Sequence, residues 1–136
     1  MFEGGLRVTL ENLTLQADLA VESLRDYGPT GMPPSNDGIT NGRNSGFQAL
    51  QLAVWLGAKR ITLLGFDMRE KDGRAHWHAE HPIPTPGNIY GSMIECFNGI
   101  APELKRRGIE VINASPDSAL KCFPKMTVAE ALCIPA

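Results

Sequence analysis

Long apolar runs are missing from this sequence. No stretch approaches the ~20 residues that span a bilayer, and no charged-then-apolar leader opens the chain. No membrane partner is expected, and a cytoplasmic setting is. Charge of one sign is missing as well: the net charge is −2, which offers no electrostatic footprint for nucleic acid. Cysteine is scarce. Cys96, Cys122 and Cys133 form an odd, widely spaced set, which argues against a disulfide framework or a CxxC centre and predicts buried, reduced thiols.

Turn chemistry, in contrast, is plentiful. Ten prolines and fourteen glycines cluster at 28–46 and 82–91 and mark two long loops, 27–43 and 68–87. A loop of that length in a compact domain is a functional lid or a disordered connection. The 136 residues suffice for one domain, 1–136, with a real core.

The sequence is organised around 42–67. Gly42-Arg43-Asn44-Ser45-Gly46 supplies turn formers and a capping hydroxyl. A helix is predicted over 47–56, with Ala49, Leu50, Ala53 and Val54 on one face and Gly57 at its left-handed end. Ile61-Thr62-Leu63-Leu64 is a short apolar strand, stopped by Gly65-Phe66-Asp67. Asp67 thus lies just past a strand's carboxyl end, where open α/β sheets bind ligands.

Further elements flank this unit. Residues 6–10 alternate as a strand, and 12–26 fit strand and helix equally. A helix is predicted over 88–107, with Met93, Phe97, Ile100, Ala101 and Leu104 as its apolar stripe. Lys105, Arg106 and Arg107 suit its negative end, and Gly108 ends it. Pro102 should kink it or start a second helix. A strand follows at 109–112. Ser115 and Pro116 read as the cap and first position of a short helix, and Thr127 to Glu130 as a capping box opening the last one. Helix, strand, helix, strand predicts a partial doubly wound, Rossmann-like α/β fold, mostly parallel and flanked by helices. Strands 61–64 and 109–112 should lie side by side, so that Asp67 and 113–118 open onto one crevice.

The chemistry in that crevice has several candidates. Asn44, Ser45 and Gly46 can offer backbone N–H groups and a positive helix end to a phosphate, or be an ordinary cap. Asp67 can bind Mg²⁺ or a ribose hydroxyl, or cap its turn. Ser115, Asp117 and Ser118 can hold a ligand or serve as capping residues. His76, His78 and His81, with Glu80, suit zinc or a general base near neutral pH. Three histidines so close on a short loop do not easily share one ion, so no metal ligand is assigned. The plainer alternative is a surface loop in which Trp77 packs.

Together these motifs resemble the carboxyl half of a Rossmann-type family that includes the bacterial sialyltransferases of glycosyltransferase family 42 and archaeal 6-hydroxymethylpterin pyrophosphokinase-like proteins. Similarity to uncharacterised phage and prophage proteins covers nearly the whole chain, including 76–82 and Cys122-Phe123-Pro124. The resemblance implies a nucleotide or nucleotide-sugar donor. Asn44, Ser45 and Gly46 would contact its CMP part, and Ser115 and Ser118 would come from the last turn. It implies His81 as the base that takes the acceptor's proton, His76 or His78 being next, and Asp67 as a Mg²⁺-associated acid. Arg69 stands where the sialyltransferases carry a tyrosine, and it would neutralise a phosphate instead. The family's amino-terminal nucleotide loop has no counterpart here, so the chain looks like a half-domain. Half a sheet leaves an apolar edge strand, which predicts a homo-oligomer or pairing with a missing half. Two other functions fit the same residues: a non-catalytic phage assembly module, and a metal-dependent hydrolase using Asp67 and the histidines.

Overall fold

Two left-handed residues open the central helix, Gly42 at φ 55° and Arg43 at φ 55°. A Cβ on Gly42 would lie 2.1 Å from the Phe47 ring, so only glycine fits between this turn and the helix it starts. The helix, α1 (Ser45–Trp55), is capped by the Asn44 side chain, which accepts from the Phe47 N–H at 3.0 Å. Asn44 therefore does what a Ser45 hydroxyl was expected to do, and the helix begins two residues earlier than predicted. Gly57 ends it at φ 89°, as predicted.

The computed structural model describes residues 8–9, 22–73 and 88–133. In chain order its elements are β1 (Val8–Thr9), β2 (Glu22–Ser23), β3 (Arg25–Asp26), β4 (Gly38–Ile39), α1, β5 (Arg60–Leu63), α2 (Ile89–Arg106), β6 (Glu110–Asn113) and α3 (Val128–Leu132). The fold is mixed α/β. Its strands pair in parallel as β1 with β2, β3 with β4 and β5 with β6. Among the described residues these are separate two-stranded pairs, so the expected extended doubly wound sheet is not seen there. The expected pairing of the two longest strands is, with Ile61 opposite Val111 and Leu63 opposite Asn113. One further bridge, Asn113 with Lys125, sets residues 124–126 beside β6 on its other edge. The expected loop 27–43 contains β4, which two bonds tie to β3: Arg25 N to Asp37 O and Tyr27 N to Ile39 O, both 3.0 Å.

The core lies between β5–β6 and the two long helices. Phe47 and Leu50 of α1 meet Cys96, Phe97, Ile100 and Leu104 of α2 over Leu63 and Val111. Phe97 is the hub: Phe47, Phe66 and Phe123 each present an edge or face to its ring at 5.1, 5.8 and 6.3 Å between centroids. The expected stripe on α2 is thus the buried one, and Gly108 ends that helix at φ 68°. Pro102 starts no second helix, because α2 runs continuously through it. On α1 the buried side chains are Phe47, Leu50 and Gln51, whereas Ala49 is exposed.

Gln51 is 1% exposed yet fully engaged. Its amide accepts from Thr40 N at 3.0 Å and donates to Thr40 O at 2.9 Å, pairing with the chain just after β4 as a neighbouring strand would. The Thr40 hydroxyl in turn donates to Gly31 O at 2.7 Å, so one helical glutamine fixes the loop on both sides of β4.

The turn after β6 departs from expectation. Ser115 and Pro116 start no helix: Ser118 N donates to Ser115 O at 3.0 Å and closes a turn. The next donor, Ala119 N, goes to Asp67 O at 2.8 Å instead of to the preceding turn. The tertiary bond captures the donor a helix would have needed. By contrast the capping box at Thr127 and Glu130 forms as predicted and opens α3. Of the thiols, Cys96 is buried, Cys122 half-buried and Cys133 exposed, so burial of all three is not what is found.

Candidate crevice at the carboxyl ends of β5 and β6

Three segments meet at Phe66 and Asp67. The first is the start of α1: a Cβ on Gly46 would sit 2.5 and 2.7 Å from the tip of the Phe66 ring, so helix and loop are in direct contact because residue 46 lacks a side chain. The second is the loop after β5 itself. The third is the turn after β6, whose Ser118 hydroxyl donates to Phe66 O and whose Ala119 N–H donates to Asp67 O. The expected convergence of Asn44–Gly46, Asp67 and 115–118 is therefore present.

The side chains in this arrangement fall into two groups. Ser45, Asp67 and Arg69 are exposed, and Asn44 and Gly46 are half-buried. Ser118 is 3% exposed, and its hydroxyl also accepts from Leu120 N at 3.0 Å. It works as a latch between the loops. Ser115 is 8% exposed, with its N–H on the Asn113 amide oxygen at 3.1 Å. Asn113 is fully buried at the strand end, where its backbone also bonds Pro124 and Met126.

Met68 turns the chain at Asp67. It is a non-glycine residue at φ 51°, and it is 7% exposed in the core. A left-handed residue here sends Met68 inward and leaves Asp67 facing solvent, at a conformational cost of about 1–2 kcal/mol that its burial offsets. No pattern in the sequence announces it.

The first turns of α2 border the same region. The Asn44 side-chain amide donates to Met93 Sδ at 3.4 Å, linking the α1 cap to α2. Burial pushes the Tyr90 phenol above its usual range, and the negative charge of Glu70 adds to the shift. Burial likewise raises Cys96, against the pull of the Arg43 guanidinium. Tyr90 and Glu70 were not among the expected site residues; their approach arises from tertiary packing across 20 positions of sequence.

His76, His78 and His81 lie outside the described residues. Among the described residues, no group of three or more His, Cys, Asp or Glu side chains is placed to hold a metal ion. Among them, too, no helix is long and apolar enough to cross a membrane.

Compared with known proteins, the chain matches no family model, no curated protein and no solved structure.

Proposed function

We propose that this chain is a nucleotide-binding, transferase-like α/β domain whose ligand sits at the carboxyl ends of β5 and β6. One observation carries the proposal: the start of α1, the loop after β5 and the turn after β6 meet at Phe66 and Asp67. Parallel strands that end together beside a helix start form the crevice in which α/β proteins hold phosphorylated ligands. In this crevice the N–H groups at Ser45 and Gly46 would receive a phosphate. The exposed Asp67 carboxylate would hold a ribose hydroxyl or a Mg²⁺ ion, Arg69 would add positive charge, and Ser115 would line the opposite wall. Ser118 would contribute by fixing the loops. Catalysis, where it occurs, would move a glycosyl or phosphoryl group from the nucleotide, with His81 as base and His76 or His78 as the next candidates. That part, like a phage or prophage type for the domain, comes from the motif resemblance.

The test is a thermal-shift panel of CMP, CDP, UDP and ATP forms and their sugars, each with Mg²⁺ and with EDTA. A ligand at 100 times its dissociation constant adds about 2.7 kcal/mol. A shift with one class names the donor, and His81→Ala should then abolish turnover while leaving that shift in place.

A second function has its own observation. Leu56, Leu64, Val128 and Leu132 are large apolar side chains that are 71%, 59%, 47% and 81% exposed. A non-catalytic assembly module would use such surface to pair with itself or with another chain. A folded protein that binds none of the nucleotides and oligomerises would favour it.

A further inference from the structure

The structure assigns Lys125 a role beyond the loop that carries it: we infer that it is a positioning residue for the crevice. This rests on the nucleotide-binding function proposed above. Lys125 enters beside β6 through its bridge with Asn113, anchored by Asn113 N on Pro124 O at 2.8 Å and Met126 N on Asn113 O at 3.2 Å. From there its ammonium reaches back and donates to two carbonyls of the same turn, Pro116 O at 3.3 Å and Ser118 O. Both belong to the segment whose Ser118 hydroxyl and Ala119 N–H grip Phe66 and Asp67.

The physical consequence is a clamp. Residues 115–118 make one internal backbone bond, Ser118 N to Ser115 O, which does not by itself hold a four-residue turn against its conformational entropy. An ammonium shared by two carbonyls is a charge-assisted link, stronger than a neutral one. It ties the turn to the strand-like segment 124–126 from one side while Ser118 ties it to Phe66 from the other. The turn that would place Ser115 against a ligand is thus held from both sides. Lys125 itself need touch nothing in the crevice.

Two variants in the full chain test this, Lys125→Met, which keeps the apolar stem, and Lys125→Arg, which keeps the charge. The first readout is amide hydrogen exchange at Ala119 and Leu120, whose N–H groups bond Asp67 O and the Ser118 hydroxyl. The second is the affinity for CMP and for ATP with Mg²⁺. In Lys125→Met, exchange at those two amides should accelerate about tenfold, in line with loss of a hydrogen bond to a charged group. Amides of β6 should accelerate no more than these two, and nucleotide affinity should fall several-fold in a variant that stays folded. Lys125→Arg should restore much of both. Unchanged exchange in Lys125→Met overturns the clamp. Faster exchange with unchanged affinity overturns its link to the site. Wild-type protein that binds neither probe overturns the nucleotide function itself, and the exchange data separate that failure from the other two.

Discussion

Substituting Gly46 by alanine tests the contact on which the crevice depends, because two opposing effects can be sized separately. In a helix interior, alanine is favoured over glycine by roughly 1 kcal/mol. Gly99 of α2 gives that effect alone, since a Cβ there meets nothing within 4 Å. Gly99→Ala should therefore stabilise by up to ~1 kcal/mol. At Gly46 the same methyl would lie 2.5 and 2.7 Å from the Phe66 ring and 2.9 Å from the Asn44 amide oxygen. Overpacking of this kind costs ~1–3 kcal/mol. The Phe66 ring tip can yield, but only by giving up its edge contact with Phe97 at 5.8 Å. Gly46 also sits in the first turn of α1, where the helix gain is smaller. The net expectation for Gly46→Ala is a loss of ~1–2 kcal/mol, or a melting temperature lower by about 4–8 °C, against a rise of a few degrees for Gly99→Ala. Urea unfolding of both variants, and of Gly46→Ala combined with Phe66→Leu, gives the comparison. The double variant should recover ~1 kcal/mol of the coupling. If Gly46→Ala is as stable as Gly99→Ala, the helix start and the Phe66 loop are not in contact, and the reasoning behind the crevice is refuted.

Three further outcomes follow from particular residues. Gln51→Leu leaves the Thr40 N–H and C=O without their buried partner and should cost ~2–4 kcal/mol in urea unfolding, more than any exposed substitution on α1. The Glu103 carboxylate is held by hydrogen bonds from Arg106 and Arg107 at about 2, below its usual 4.5. Its folded value is the lower one, so its contribution is present above pH 4.5 and lost as pH falls toward 2. Melting curves of Glu103→Gln should accordingly lose part of the wild-type slope over that interval and match it less well at neutral pH than at pH 2. Of the three thiols only Cys133 is exposed, while Cys96 is buried and burial pushes Cys122 up to about 11. A thiol-reactive dye on the folded protein at neutral pH should therefore label Cys133 first, and Cys133→Ser should remove the fast phase.

Much of the central unit was legible because its signals are local. The apolar stripe of α2, the glycines at 57 and 108 and the capping box at Thr127 need only a few neighbouring residues to act, and each does in the structure what its pattern predicts. The pairing of β5 with β6 followed from the handedness of crossovers. What was not legible depends on contacts between distant segments. A buried glutamine in α1 looks polar in any periodic reading, because its partner at Thr40 lies across a turn. Ser115 and Pro116 carry the chemistry of a helix start, yet the Ala119 N–H finds Asp67 O, 52 positions away, before it finds a helical carbonyl. Strands of two residues, such as β3 and β4, are too short to alternate. At the crevice, the gathering of Asn44, Gly46, Asp67 and Ser115 could be argued from topology, whereas the inward turn of Met68 and the latch at Ser118 could not.

The central claim is that a nucleotide occupies the crevice at Phe66 and Asp67. Its most direct test is an NMR titration of the full chain with CMP and with ATP plus Mg²⁺, followed at backbone amides. The account predicts that Ser45, Gly46, Asp67 and Ser115 shift together and saturate at one concentration, while Leu132 on α3 stays in place. Saturable binding that leaves those four amides unmoved, or no binding by a folded chain, would contradict it.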